Sequence, residues 1–307
     1  DVAPSRGLGD VYKRQTMNRF NPFKGLGTAL VTPFRKDGSV DEEGLTRLVE
    51  DQIAQGVDFL CVLGTTAETP CLSAVEKRLV MNLVKRVNAG RLPLLLGAGG
   101  NHTAEVIDYL QTADLEGFAG VLIVTPYYNK PSQEGLYQHF CAVAAATDLP
   151  VVLYNVPGRT GVNLAAETTL RIARDCKNVV AVKEASGKLA QIEQILAGAP
   201  EGFEVLSGDD AITLEILTLG GAGVISVVSN AYPARFAEMA HAALAARLPE
   251  ALAAHRSFLS TYPLLSVDGN PAGIKALLSL QGKIENILRL PLVPVRPETY
   301  EALQRTL

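Results

Sequence analysis

The strongest constraint on this chain is a rhythm. From residue 27 a short apolar, β-branched run ends in Gly, Thr, Asn or Asp, and a longer segment of helical period follows. The unit recurs eight times, with runs at 28–33, 58–64, 93–97, 120–126, 150–156, 179–185, 204–209 and 223–229. The helical segments begin near Asp41, Ser73, His102, Ser132, Ala165, Lys188, Asp210 and Pro233. Between 45 and 49 and between 76 and 87, apolar residues fall three and four apart, as one buried helix face requires. Strands alternating with such helices force a parallel sheet with right-handed crossovers. Eight units predict an α/β fold, a closed (β/α)8 TIM barrel. An open doubly wound sheet has fewer strands and a Gly-rich first turn. Here the first run ends in Thr32-Pro33.

After about residue 230 the strand signal stops. Residues 233–307 read as Ala- and Leu-rich helices, broken near Pro263, Pro271 and the 291–297 stretch. The expected organisation is a barrel over 17–232 and a small C-terminal helical domain over 233–307. So short a segment rarely holds a core alone, so it is expected to pack on the barrel. Residues 1–16 are polar, without apolar period or the apolar core of a signal peptide. They read as a non-native or disordered leader, with Met17 as the natural start.

Barrel enzymes carry their chemistry at the C-terminal ends of the strands. The sixth run, Val179-Val180-Ala181-Val182-Lys183-Glu184-Ala185, ends on a lysine. An amine taken out of water loses its preference for the charged form, and a neutral amine forms Schiff bases with carbonyls. Strand alternation puts Ala181 and Lys183 on the inner face and Val180 and Val182 toward the helices. Other strand ends supply Thr65 and Thr66, Tyr127 and Tyr128, Tyr154, and Arg159. Each has an ordinary use: a threonine pair caps a helix, tyrosines fill cores, a loop arginine is solvated. Together they form the inventory of a Schiff-base aldolase: an amine to capture a keto acid, hydroxyls to move protons, a cation for a carboxylate. The sequence Ser207-Gly208-Asp209-Asp210 reads as a helix start, with acidic residues favoured by the dipole.

The net charge of −4 leaves no footprint for nucleic acid, and no apolar run is long enough for a membrane span. Cys61, Cys71, Cys141 and Cys176 show no paired spacing and read as reduced, in a cytoplasmic protein. His102, His139, His241 and His255 lie far apart, so no metal site is expected.

From about residue 24 to the C-terminus the chain resembles the dihydrodipicolinate synthase family of pyruvate-dependent class I aldolases, whose wider group includes N-acetylneuraminate lyase. The resemblance rests on Gly64-Thr65-Thr66-Ala67-Glu68, on the 124–131 run Val-Thr-Pro-Tyr-Tyr-Asn-Lys-Pro, and on Tyr154-Asn155-Val156-Pro157-Gly158-Arg159-Thr160-Gly161. Lys183-Glu184-Ala185 and Gly223-Val224-Ile225-Ser226-Val227 complete it. Ala67 stands where the family usually has Gly.

The resemblance implies condensation of pyruvate with L-aspartate 4-semialdehyde in lysine and diaminopimelate synthesis, with no cofactor beyond a pyruvate imine on Lys183. It implies Tyr154 as proton shuttle, linked through Thr65 to Tyr128 of a neighbouring subunit. Amides at Thr65 and Thr66 would hold the pyruvate carboxylate, and Arg159 the carboxylate of the aldehyde. Ile225 would offer its carbonyl near the lysine, and Gly223 is carried over with the substrate-binding set. The implied assembly is a homotetramer built as a dimer of tight dimers. A candidate allosteric cleft maps to Thr69, Pro70, Ala74, Lys77, Asn101, Glu105 and Tyr127. There Ala74 and Lys77 depart from inhibited relatives, so feedback by lysine is expected to be weak or absent. N-acetylneuraminate lyase or a keto-deoxy sugar acid aldolase is the alternative, and Arg159 with Thr65-Thr66 argues against it. A phosphate- or flavin-binding barrel is disfavoured because Gly220, Gly221 and Gly223 precede the eighth strand.

Overall fold

The structure, a computed structural model, describes residues 20–307. The expectations for residues 1–16 and Met17 lie outside the described residues. Eight parallel strands close into a barrel in sequence order: β1 (Gly25–Ala29), β2 (Phe59–Val62), β3 (Leu94–Gly97), β4 (Gly120–Val124), β5 (Val151–Asn155), β6 (Val179–Glu184), β7 (Glu204–Ser207) and β8 (Gly223–Ser226). Each is followed by a helix of the outer ring: α1 (Glu42–Ala54), α2 (Ala74–Asn88), α3 (Thr103–Thr112), α4 (Gln133–Ala145), α5 (Ala166–Asp175), α6 (Leu189–Gly198), α7 (Thr213–Thr218) and α8 (Pro233–Leu244). The barrel expected from the rhythm is present. α9 (Leu248–Arg256), α10 (Ala272–Leu280) and α11 (Pro297–Gln304) complete the chain. No helix among the described residues is long and apolar enough to cross a membrane.

Several ring helices begin where short polar side chains can satisfy free amides. Asp41 accepts from the Gly44 amide and Ser132 from the Gly135 amide. Ser73 and Glu76 form a reciprocal capping box at α2. Inside the barrel, Phe59, Cys61, Leu95, Leu122, Val152, Ala181 and Leu206 pack on one another. Val49, Val84, Phe140, Ile172 and Ile195 belong to the second cluster, between strands and helices. Each such fully buried side chain contributes roughly 1.5–3 kcal/mol relative to exposure.

Three features differ from the expectations. The first strand lies at Gly25–Ala29, ahead of the 28–33 run. Its glycines weaken the sequence signal but meet a packing need: a Cβ on Gly27 would lie 2.2 Å from the Phe59 ring, which fills the barrel there. Secondly, β6 carries an extra residue. Val179 pairs with Val151, but Ala181 pairs with Val152, so Val180 is a bulge. Ala181 faces inward and Val182 meets the helices as expected, but Val180 joins the interior cluster. Thirdly, α8, counted both as the eighth helical segment of the rhythm and as the opening of the C-terminal domain, packs on β1, β8 and α7 as well as on α9.

At the N-terminal end of the barrel, Asp58 accepts from the Leu26 amide at 2.7 Å and from His241 Nε2 at 2.6 Å, tying α8 to β1 and β2. The hydrogen bond to Asp58 raises the His241 pKa above 6.5. A raised folded-state pKa stabilises fully below the unfolded value and is lost as pH rises through the folded one. The pair is partly exposed, so solvent limits its worth to about 1 kcal/mol or less. Thermal melts of the native chain and His241→Gln are therefore expected to differ more at pH 5.5 than at pH 8.5, where convergence should be near complete. A gap that widened with pH would overturn this assignment.

Candidate active site

Lys183 is the last residue but one of β6 and is buried. Its register partner on β5 is Tyr154, also buried, and the Lys183 Nζ lies 4.2 Å from the centre of the tyrosine ring. Outward-facing Glu184 locks this strand end. Its carboxylate accepts from Asn155 Nδ2 at 3.1 Å, Gln191 Nε2 at 3.0 Å and the Ser186 amide at 2.9 Å. Gly208, just beyond β7, makes room for the lysine. A Cβ there would stand 3.0 Å from Lys183 Cε and 2.8 Å from the Ala185 Cβ.

After β2 the chain makes a tight turn, Gly64-Thr65-Thr66-Ala67, bracketed by two non-glycine residues in the left-handed region: Leu63 and Glu68, both at φ 55°. Such conformations cost on the order of 1–3 kcal/mol each and persist only where surroundings impose them. The Ala67 and Glu68 amides bond back to Gly64 and Thr65, and Thr69 Oγ1 donates to the Gly64 carbonyl. After β5, one helical turn at Pro157–Thr160 carries Arg159. Thr125 at the end of β4 clamps that turn through a 3.3 Å contact between its hydroxyl and that of Thr160.

These groups converge on a cavity of about 440 Å³ lined by Thr65, Thr66, Tyr154, Arg159, Lys183 and Gly208, among others. Its far wall comes from beyond the barrel: Tyr262, Leu265 and Asn270. Arg159 Nη2 donates to the Asn270 carbonyl at 3.2 Å, and Asn270 Nδ2 donates to Thr66 Oγ1 at 3.0 Å. One residue thus spans from the guanidinium to the threonine turn. Asp209 caps the short turn after β7, as expected, accepting from the Ala211 amide. Asp210 does something else. It turns inward and accepts from the Val227 and Val228 amides at 3.0 and 2.8 Å, leaving its buried Oδ1 without a protein partner. Burial pushes its carboxyl up to about 6, although those amides oppose the shift. Beneath the site, burial pushes the Cys61 thiol up to about 11, so it is no competing nucleophile near neutral pH.

Lys183, Tyr154, Thr65, Thr66 and Arg159 are therefore brought together. Tyr128 is not. It lies on the loop after β4 at φ 73° with 89% of its surface exposed and does not line the cavity. Ile225 sits in the barrel interior, and Val227 lines the cavity on that side. Gly223 is a correction. It starts β8, at the end of the strand opposite the site, where a Cβ would fall 2.3 Å from the Gly25 carbonyl. It allows β1 and β8 to approach and does not reach the substrate space. A side cavity beside the threonine turn is lined by Thr69, Lys77, Asn101, Glu105 and Tyr127, with Pro70 at its inner neighbour. Ala74, exposed at the first residue of α2, lines neither. No group of three or more His, Cys, Asp or Glu able to hold a metal ion occurs among the described residues.

Gly208, Asn270 and Tyr262 were missed by sequence reading. Gly208 had a usable signal, since a glycine at a strand end beside a long inward lysine is a space-making residue. Asn270 and Tyr262 had none, because only tertiary packing brings the C-terminal segment over the barrel mouth.

The profile of the dihydrodipicolinate synthetase family matches residues 22–307. The chain is similar to a 4-hydroxy-tetrahydrodipicolinate synthase of Phocaeicola vulgatus, 56% identical over 285 residues, covering 92% of this chain and 96% of the relative. Among solved structures, it is similar to the dihydrodipicolinate synthase of Thermotoga maritima, at 44% identity and a TM-score of 0.91, covering 93% and 98%. It is also similar to the dihydrodipicolinate synthase of Acinetobacter baumannii solved in complex with pyruvate, at 38% identity and a TM-score of 0.89, covering 92% and 97%.

Proposed function

Since the chain belongs to the dihydrodipicolinate synthetase family, we propose that it acts as a 4-hydroxy-tetrahydrodipicolinate synthase, condensing pyruvate with L-aspartate 4-semialdehyde through an imine on Lys183. The observation that carries this reading is the buried Lys183 amine over the Tyr154 ring, in a cavity that also holds Thr65, Thr66 and Arg159. Lys183 Nζ adds to the ketone carbon of pyruvate. Tyr154 supplies the proton with which the carbinolamine loses water, giving the imine. Loss of a methyl proton gives the enamine, whose carbon attacks the aldehyde. The amine of the second substrate then displaces Lys183 and closes the ring.

Pyruvate's carboxylate is held by the amides of the Thr65-Thr66 turn. Arg159 receives the carboxylate of the aldehyde, while its bond to Asn270 fixes its direction. No cofactor beyond the imine is required by this scheme. Tyr128, exposed on this chain, serves the site of a partner in a homotetramer of tight dimers. The enzyme works in the cytoplasm, in lysine and diaminopimelate synthesis. The side cavity is the place for an effector, and Lys77 within it opposes a cationic one such as lysine.

The test is incubation with pyruvate alone, with pyruvate and the semialdehyde, and with N-acetylneuraminate or a keto-deoxy sugar acid. Consumption of both substrates together is expected, with no cleavage of the sugar acids. Cleavage of a sugar acid with no use of the semialdehyde would overturn the reading. Arg159→Ala tests the second-substrate contact. A charge-assisted bond contributes about 1.5–3 kcal/mol, so use of the semialdehyde should fall about ten- to a hundredfold or more. Imine formation with pyruvate should survive. Unchanged semialdehyde kinetics would remove Arg159 from this role.

A further inference from the structure

Glu68 directly follows the Thr65-Thr66 turn, and its side chain points away from the cavity into the body of the protein. There its carboxylate is fully buried against the ammonium of Lys275 on α10, which is fully buried as well. Its other oxygen accepts from the Arg289 amide at 3.0 Å. The Lys275 Nζ donates in addition to the Ile287 carbonyl at 2.9 Å and lies 4.1 Å from the centre of the Phe34 ring. Arg289 covers the same ring at 4.3 Å and pairs with Glu76 at the start of α2, besides donating to the Cys71 and Gly38 carbonyls. A buried ion pair is a poor source of stability, because desolvation offsets the attraction, but it is a good source of unique geometry. Here that geometry adds to the turn's own hydrogen bonds at its most demanding residue: Glu68 sits in the left-handed region without being glycine.

We propose that Glu68 and Lys275 are positioning residues for the pyruvate-carboxylate site. Pulling the Glu68 side chain inward fixes the left-handed turn and so aims the Thr65 and Thr66 amides into the cavity. The inference rests on the functional reading above and adds two residues to it, neither of which touches substrate. It requires the pair to act more strongly on pyruvate than on the second substrate, because Arg159 stands on the turn after β5 and meets the threonine turn through Asn270, not through Glu68 or Lys275.

The test is the double variant Glu68→Gln with Lys275→Met in the full chain, which leaves no buried charge unpaired. Steady-state kinetics with each substrate varied, together with a thermal melt, are the readouts. The expected result is a KM for pyruvate raised about tenfold or more, with the KM for the semialdehyde changed less than about twofold and a cooperative melt retained. Lys275→Arg, which keeps a cation opposite Glu68, should recover most of the pyruvate affinity. Should the double variant not fold, Glu68→Gln alone is measured, with the same asymmetry expected. Two results would overturn the proposal: an unchanged KM for pyruvate, or equal losses for both substrates, the mark of a merely structural pair. An inactive native chain would instead strike at the functional reading, so the two failures are distinct.

Discussion

Lys183→Ala is expected to lower turnover by at least about 10⁴-fold while leaving the barrel folded. Lys183 is the single lysine among the residues that line the central cavity, so no second amine stands in for it. The fold should tolerate the change, because the residue removed is a buried amine over an aromatic ring and not a keystone of the packing. Borohydride added with pyruvate should trap a reduced pyruvyl group on the peptide that contains Lys183, and the alanine variant should trap none. Labelling of a different lysine, or substantial turnover in the variant, would break the assignment.

Tyr154→Phe carries the second largest expected loss. A positioned acid–base group contributes roughly 10²–10⁴-fold. The substitution keeps the ring that packs in the barrel interior and lies beneath the Lys183 amine. It removes only the hydroxyl, so the loss should appear in kcat, with the KM for pyruvate little changed. Presteady-state trapping should show the imine forming slowly rather than failing to form. A loss below about threefold would assign the proton transfers to another group, and the inward-turned Asp210, held up to about 6 by burial, would be the next to examine.

The barrel was legible because its signal is repeated. Each run of apolar residues stops at a polar or small residue where the strand reaches the mouth, and the same reading put Lys183, Tyr154, Thr65 and Arg159 at one end. Strict alternation failed once, at Val180, because it assumes two residues per pleat and a bulge inserts one. The first strand was misplaced because Gly25 and Gly27 look like loop residues, while the barrel needs their missing side chains. Gly223 was taken toward the substrate by resemblance, although its distance along β8 from the mouth follows from counting residues in a strand. Asn270, Tyr262 and Lys275 belong to a segment whose local pattern is simply helical. Their contribution arises from where α10 and the preceding loop settle, and no spacing in the chain encodes that.

The reach of the C-terminal segment over the mouth has a consequence for how the enzyme comes into being. Thr66 and Asn270 are joined across 204 residues, and Glu68 and the Arg289 amide across 221. On the ribosome the threonine turn is made 204 to 221 residues before these supports. A nascent barrel with every strand in place would still lack Asn270, which joins Thr66 to Arg159, and the Arg289 amide that Glu68 meets. The mouth of the barrel is therefore completed only after the strands that frame it, and closing such distant contacts is slow.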